Sequence, residues 1–503
     1  MIRRAPQLYL LLVLLLSTTF CVLRAQESPA SIQVHWQKVL RVSQTIPTFL
    51  LLVGPPNFRG SPTHDRIFQL VKDLGAEDVR YTGGGYYLPH YGVAELAPPT
   101  ATSTSWDFSY IEPMTEDVMD ALKGHKIVLD TSSIPEWMFK NTPLHYPSDP
   151  NKTCWDCSSG RELRDPTARE VADYFARFAS WHVKGGFTDE LGKWHASGHH
   201  YKIDYWEVLN EPHLERDLSP EVYTKIYDAV VEAVHKISPE TKFVGISDDY
   251  AGGHPEMFLY FLNPKNHKPG IPLDMISYHF YAMPGPRETP DDQAITYFYQ
   301  ADRFLETVGY IEAIRKMYTP RTGTMINEIG TMLPDDWDQS KPDYVFKPIQ
   351  PSYWNLSAAT YAYVFAGLAS KGIEVAGESA LPASPGLWVS ITMEDWNTGQ
   401  PNCRYWVLKM IHDNFHPGDK IVESESKAGT ILTQGYVTRG GERKVLIVNK
   451  RDREINLAMP EAKGGTLEVV DQVTGSNPPG SNKIEGESFK LGGLAVAVVT
   501  LPR

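Results

Sequence analysis

The sequence predicts an α/β chain: a (β/α)8 TIM barrel with an accessory C-terminal antiparallel β-sandwich domain. Two observations carry that expectation. From about residue 45 to 415, short apolar runs alternate with longer amphipathic stretches. After residue 420 the helical spacing stops, and short β-rich runs follow one another between Gly, Pro and Asn. Alternating strands and helices favour a parallel sheet covered by helices. Eight such units favour closure into a barrel over a doubly wound sheet.

The strands are expected over residues 48–54, 78–81, 126–130, 201–210, 242–246, 274–279, 324–328 and 373–377. Pro166 is expected to open a helix over 167–184, where Val171, Tyr174, Phe175, Phe178 and Trp181 recur at helical spacing. Ser219-Pro220-Glu221 opens a second, with Val222, Ile226, Ala229, Val230 and Ala233 on one face. Residues 296–318 and 357–370 read as helices in the same way. The sandwich strands are expected over 430–437, 444–449, 455–458, 466–470 and 494–501, with residues 32–44 pairing onto them. The division is thus 1–25 leader, 45–415 barrel, and 26–44 with 416–503 sandwich.

Composition narrows the class. The 503 residues include 12 Trp, 26 Tyr and 19 Phe, an aromatic load that excludes a disordered or collagenous chain. Acidic residues outnumber basic ones, 61 to 48, for a net charge of −13, the opposite of a nucleic-acid binder's balance. Arg3 and Arg4, an apolar run from Leu8 to Leu16 and small Ala25 describe a secretory signal peptide. An uncleaved anchor is the alternative, although the run is short for a membrane span of ~20 residues. A secreted or periplasmic location is therefore expected, with no integral span in the mature chain. Cys154 and Cys157 form one CxxC in a polar loop. With no second CxxC or nearby His pair for zinc, they read as a local disulfide or two free thiols. Asn151-Lys-Thr153 and Asn355-Leu-Ser357 are N-glycosylation sequons.

In such barrels chemistry sits where strands end at the C-terminal face. Two segments place glutamates there. In Tyr205-Trp-Glu-Val-Leu-Asn-Glu-Pro212, alternation puts Glu207, Leu209 and Glu211 on one side, and Pro212 stops the ladder after Glu211. In Thr324-Met-Ile-Asn-Glu-Ile-Gly330, Glu328 closes an apolar strand. Two neighbouring rim carboxylates are what hydrolysis of a glycosidic bond requires: one donates a proton to the leaving oxygen, and the other attacks or stabilises the developing oxocarbenium ion. A lone glutamate in such a place is ordinarily a surface or loop-anchoring group.

Asn210-Glu211-Pro212 ending the fourth barrel strand and Glu328 ending the seventh resemble the clan A retaining glycoside hydrolases. Within that clan the chain is most similar to glycoside hydrolase family 39, which includes β-xylosidases and α-L-iduronidases, over roughly residues 45–500. The resemblance implies Glu211 as general acid/base, Glu328 as nucleophile and Asn210 as the residue bonding the sugar 2-hydroxyl. It implies a carbohydrate substrate, no cofactor and no metal, and an exo-acting enzyme working on plant or microbial polysaccharide or glycoconjugate ends. An endo-acting glycanase or a non-catalytic carbohydrate-binding protein is the alternative.

Further candidates surround these. Arg80, in Asp78-Val-Arg-Tyr81, is expected either to keep Glu328 ionised or to bridge barrel layers through Glu207. Gly83-Gly84-Gly85 beyond it lacks the phosphate-loop pattern. His279 and Tyr281 end the sixth strand, where the clan often sets an imidazole or aromatic hydroxyl against the nucleophile; a buried structural histidine is the alternative for His279. Glu378 ends the eighth and is expected to bind sugar hydroxyls. Here Gly377-Glu378-Ser379 departs from the Trp-rich ending of many family members. Trp137 and Trp396 are candidate platforms for a sugar's apolar face, or core residues. Asp130 and His213 also fall at rims. Arg80, Arg161, Arg164 and Arg404 are candidate partners for a uronate carboxylate or ordinary surface charges, and a neutral pentose or hexose is equally compatible.

Overall fold

Eight parallel strands close on themselves in the computed structural model, which describes residues 29–503 apart from 86, 141–144, 156, 158, 159, 286, 287, 340 and 342. The leader expected over 1–25 lies outside the described residues. A long first strand, β1 (Ala30–Val42), precedes β2 (Ile46–Leu52), β3 (Val79–Thr82) and β4 (Ile127–Thr131). A small hairpin, β5 (Gly186–Thr188) and β6 (Trp194–Ala196), stands apart from the barrel. Then come β7 (Tyr205–Val208), β8 (Lys242–Asp248), β9 (Met275–Ala282), β10 (Gly323–Thr331) and β11 (Val375–Leu381). The barrel order is β2-β3-β4-β7-β8-β9-β10-β11, with β11 returning to β2. These strands were readable as apolar runs because both faces are covered, side chains filling the interior and helices the exterior. Every residue of β10 and β11 is buried.

The helices follow local chemistry. Ser219 Oγ accepts from the Val222 amide ahead of Pro220–Ile237, as its sequence suggests. Around Pro166 the start differs: the helix is Arg169–Val183, and the Asp165 carboxylate accepts from the Thr167, Arg169 and Glu170 amides. Asp165 thus does the work the sequence reading assigned to Pro166. The helix expected from 296 begins at a Thr289/Asp292 capping box and spans Pro290–Tyr318. That expected from 357 begins earlier and spans Pro351–Lys371. The second sequon is therefore helical, and Asn355 is buried, out of reach of a glycan in the folded chain, whereas Asn151 is exposed. Cys154 and Cys157 are bonded to each other, and Cys403 is a buried free thiol.

The chain after the barrel adds β12 (Lys420–Ser426), β13 (Ile431–Val437), β14 (Arg443–Asn449), β15 (Ile455–Ala458), β16 (Thr466–Val470), β17 (Gly480–Lys483), β18 (Ser488–Leu491) and β19 (Val496–Thr500). Their order is β17-β16-β19-β14-β13-β12-β1-β15-β18, antiparallel except for β1 beside β15. Residues 30–42 do pair into this domain. Alternation explains its packing: Leu446 and Val448 of β14 join the main core, while Val445 and Ile447 join a second core with Leu457, Leu467 and Val499. Three strands escaped the sequence reading, β12, β17 and β18, because their polar, half-exposed residues carry little apolar signal.

Candidate active site

Arg80 organises the floor. It sits on β3 with 1% of its surface exposed, and its guanidinium reaches from barrel interior to cleft. Nε donates to Glu207, Nη1 to Glu328 Oε1 at 2.5 Å, and Nη2 to Asn210 Oδ1 at 2.7 Å and Ser247 Oγ at 3.2 Å. Asp130 Oδ2 lies 3.1 Å from Nη2. The two readings of Arg80 are thus both realised: it bridges to Glu207 and it faces Glu328. A planar fork with five donors suits this better than a lysine ammonium. Glu207, wholly buried, also accepts from Ser277 Oγ at 2.5 Å and Asn327 Nδ2 at 2.8 Å. Burial pushes the Asp130 carboxyl up to about 7, against the pull of Arg80.

Glu328 faces the cleft because β10 is irregular. Met325 pairs with Ser277 and Glu328 with His279, so three steps on β10 match two on β9. The extra residue lets neighbours Asn327 and Glu328 both point inward, one to Glu207 and one to the site. Glu211 arrives differently from the expected alternation. β7 ends at Val208, and Leu209 and Glu211 both take left-handed backbone, with φ of 66° and 37°. Leu209 packs into the core, and the Glu211 amide donates to Ser247 O at 3.0 Å, so the kinked turn aims its side chain. Such backbone costs of order 1–3 kcal/mol per residue and needs surrounding structure to hold it.

His279 joins the two carboxylates. Its Nδ1 lies 2.7 Å from Glu211 Oε1, and its Nε2 lies 3.1 Å from Ser247 Oγ and 3.6 Å from Glu328 Oε1. Donor oxygens of Glu211 and Glu328 stand within 4.8 Å of each other. Tyr281 donates to Glu328 Oε2 at 2.5 Å and touches Ser379 Oγ at 2.6 Å. Burial opposes charge on His279, but Glu328 and Glu211 outweigh it and hold the imidazolium up to about 9. Burial pushes the Glu211 carboxyl up to about 7, the charge of Glu328 adding to it while His279 pulls back. For Glu328 burial also acts upward, yet His279, Arg80 and Tyr281 together bring it below the usual carboxylate range. The two carboxylates are therefore driven apart, one toward proton retention and one toward ionisation. The three donors could enclose a cation geometrically, but Arg80 and Tyr281 already occupy both oxygens of Glu328.

Above them opens a cavity of about 770 Å³, lined by Asn210, Glu211, His279, Tyr281 and Glu328. Its aromatic walls include Tyr87, Tyr250, Tyr299, Trp337 and Trp388. The structure thus brings Asn210, Glu211, Arg80, His279, Tyr281 and Glu328 together. Asn210 is fixed at both ends, accepting from Arg80 and donating through Nδ2 to Glu215 Oε1 at 2.9 Å.

The remaining expected residues lie elsewhere. Glu378 faces away from the cavity. It is wholly buried, bonded by Arg404 Nε at 3.0 Å from the helix Cys403–Asn414, and burial pushes its carboxyl up to about 8. One step along the strand its neighbour Ser379 meets Tyr281, so the sequence reading erred by one position in a period of two. Trp137 is buried, donating to Glu95 O at 2.8 Å under the Arg164 guanidinium, and Trp396 packs on Phe346; neither lines the cavity. Both are packing residues. Arg404→Met is expected to cost ~3–5 kcal/mol by stranding Glu378, read as a lowered melting temperature. Glu378→Gln should leave KM unchanged; a raised KM would return Glu378 to substrate contact.

Three contributors were missed. Ser247 follows Ile246 in left-handed backbone and hydrogen-bonds Arg80, Asn210 and His279, yet a serine after an apolar run carries no signal. Glu215, whose carboxyl burial pushes far up, lies four residues beyond Glu211, a spacing that could have marked it. Trp388 comes from the loop after β11 and stands edge-on to Tyr87 with ring centroids 4.9 Å apart.

No protein-family model and no curated protein matches the chain. Solved structures match its fold. The family 51 α-L-arabinofuranosidase of Bifidobacterium longum superposes with a TM-score of 0.62 at 13% identity, covering 94% of this chain and 100% of that one. The GH51 arabinofuranosidase of Xanthomonas axonopodis pv. citri gives 0.60 at 12%, with 94% and 100% covered. A GH30 endoxylanase of Clostridium papyrosolvens gives 0.56 at 12%, with 95% and 100% covered. At such identities the likeness is one of fold.

Proposed function

We propose that this chain is a retaining glycoside hydrolase of clan A, with Glu328 as nucleophile and Glu211 as general acid/base. One observation carries the reading: two carboxylates with an oxygen of each within 4.8 Å of the other, one held ionised and the other driven toward its acid form. Retaining enzymes set the pair ~5–5.5 Å apart, and inverting enzymes leave room for water at ~6.5–9.5 Å. The names of the arabinofuranosidases and xylanase sharing the fold lend support at the level of the clan. The family 39 reading rests on Asn210-Glu211-Pro212 and Glu328 in their strand-end contexts. A secreted or periplasmic location rests on residues 1–25 alone.

In the first half-reaction Glu328 bonds to the anomeric carbon as the glycosidic C–O bond breaks, and Glu211 gives its proton to the leaving oxygen. In the second, water attacks that carbon, Glu211 takes the water's proton and Glu328 departs. Arg80 and Tyr281 hold Glu328 in line and offset its charge. Trp388 and Trp337 offer flat apolar faces for sugar rings.

The substrate we propose is neutral and attacked from its chain end. Arg80, Arg161, Arg164 and Arg404 are each paired with carboxylates of the protein and none lines the cavity, while Arg303, which does line it, is exposed and paired with Glu306. A panel of nitrophenyl xylosides, arabinosides, glucosides, galactosides and glucuronides tests this. Turnover of a neutral glycoside is expected; preference for glucuronides would contradict the neutral-sugar reading, and binding without turnover throughout would favour a non-catalytic protein. Release of monosaccharide from a matching oligosaccharide supports end-attack, and mixed oligomers would oppose it.

His279 supplies a pH test. It lowers the proton affinity of both Glu211 and Glu328, so His279→Gln should let both hold protons to higher pH. Both limbs of the kcat/KM profile are then expected to move alkaline. An unshifted profile would remove His279 from the charge balance.

A further inference from the structure

Beside Glu211 the structure holds a second group of metal-ligating side chains that the proposed reaction does not use. β8 ends in Asp248 and is followed by Asp249. The chain turns through Gly252 and Gly253 to His254, which precedes the helix Pro255–Phe261. The helix Pro212–Arg216, directly after Glu211, brings His213 to the same place. Donor atoms of His213, Asp249 and His254 lie within 4.8 Å of one another, and the two imidazole rings approach to 3.6 Å between centroids.

A second observation points to a ligand. Asp248 is wholly buried, and neither of its carboxylate oxygens has a hydrogen-bond partner. His254 Nδ1 lies 3.6 Å from its Oδ1, longer than a hydrogen bond. His254 Nδ1 is itself without a hydrogen bond, as is Asp249 Oδ1, 4.0 Å from it. A buried carboxylate left without partners is costly, and Asp248 with the half-buried Asp249 beside it calls for positive charge. A small cavity of about 220 Å³, lined by His213, His254 and Glu256, connects the group to solvent.

We propose that His213, Asp249 and His254 form a zinc site that clasps the turn carrying Glu211 to the end of β8. Two imidazoles with a carboxylate suit Zn²⁺, whereas Ca²⁺ and Mg²⁺ favour all-oxygen shells. As His254 turns onto the metal, its Nδ1, now 3.6 Å from Asp248 Oδ1, closes to donate to that carboxylate and Nε2 is left for the metal, a pairing common behind zinc-bound histidines. The small cavity leaves a fourth position for water. Tetrahedral bonds of ~2.0–2.1 Å need the donor atoms to converge and the two rings, now 3.6 Å between centroids, to fan out around the ion. Asp249 also lines the larger cavity, so the site adjoins the reaction centre without including either catalytic glutamate.

The test needs no turnover, so its failure is separate from failure of the glycosidase reading. The untagged, metal-stripped full chain is titrated with ZnCl2 by calorimetry and melted with and without zinc. One zinc per chain and a rise in melting temperature that EDTA reverses are expected, with MgCl2 and CaCl2 producing neither. His213→Gln and His254→Gln should each weaken zinc binding at least tenfold while keeping the native circular dichroism spectrum. His199→Gln, in a separate Glu112/Glu116/His199 group, should change nothing. Absence of stoichiometric zinc, binding that survives both His213 and His254 substitutions, or loss of binding with His199→Gln would overturn the proposal.

Discussion

Replacing Glu328 by alanine is expected to lower kcat by roughly 10⁴- to 10⁶-fold, the scale of deleting a nucleophile that works within a concerted group. The side chain provides the covalent bond of the first half-reaction, and its buried neighbours Glu207 and Asp130 cannot take its place. Glu207 and Asp130 are turned into the barrel, engaged by Arg80, Asn327 and Thr82. Folding should be little affected, because Glu328 lies at the cleft and its loss leaves Arg80 still paired with Glu207 and Asp130. Added azide should restore turnover of an activated glycoside, entering from the vacated face to give a glycosyl azide of inverted configuration. Activity within a few fold of the native enzyme would reject the assignment.

Glu211→Ala is expected to separate substrates by leaving group. General acid catalysis contributes about 10²–10⁴-fold where the departing oxygen needs a proton. Alkyl and oligosaccharide substrates should therefore slow by that factor. Dinitrophenyl glycosides, whose leaving group departs unprotonated, should form the glycosyl-enzyme nearly as fast as before. Hydrolysis of that intermediate then limits turnover, since the base that activates water is gone, and azide should restore the rate with retained configuration. Equal losses across all leaving groups would show that Glu211 positions substrate and transfers no proton. The alkaline limb of the native profile should fall near the value to which Glu211 is pushed, about 7, and belongs to the His279–Glu211 pair as a unit.

The barrel was legible because strands covered on both faces leave unbroken apolar runs, and the site because Asn210-Glu211-Pro212 follows β7 and Glu328 lies in the last half of β10, where the sequence placed the strand ends. What stayed hidden is which way side chains point where strands cease to be regular. Alternation placed Glu211 at the cleft by the wrong route, since the turn after Val208 and not the ladder aims it. The same rule misassigned Glu378, whose neighbour Ser379 is the inward residue. A bulge allows Asn327 and Glu328 to face inward together, which no period-two reading anticipates. Trp388 and Ser247 lie in irregular backbone, where composition says nothing about direction. Trp137 and Trp396 show the converse: an aromatic in a loop is packing unless a cavity opens beside it.

The anomer first released from whichever nitrophenyl glycoside the enzyme turns over tests the central claim most directly. Proton NMR during the opening minutes, before mutarotation mixes the forms, resolves the two configurations. Two carboxylates whose facing oxygens lie within 4.8 Å predict a product of the same anomeric configuration as the substrate. The inverted anomer would contradict the account, because it requires water between the carboxylates where Glu328 is placed to bond.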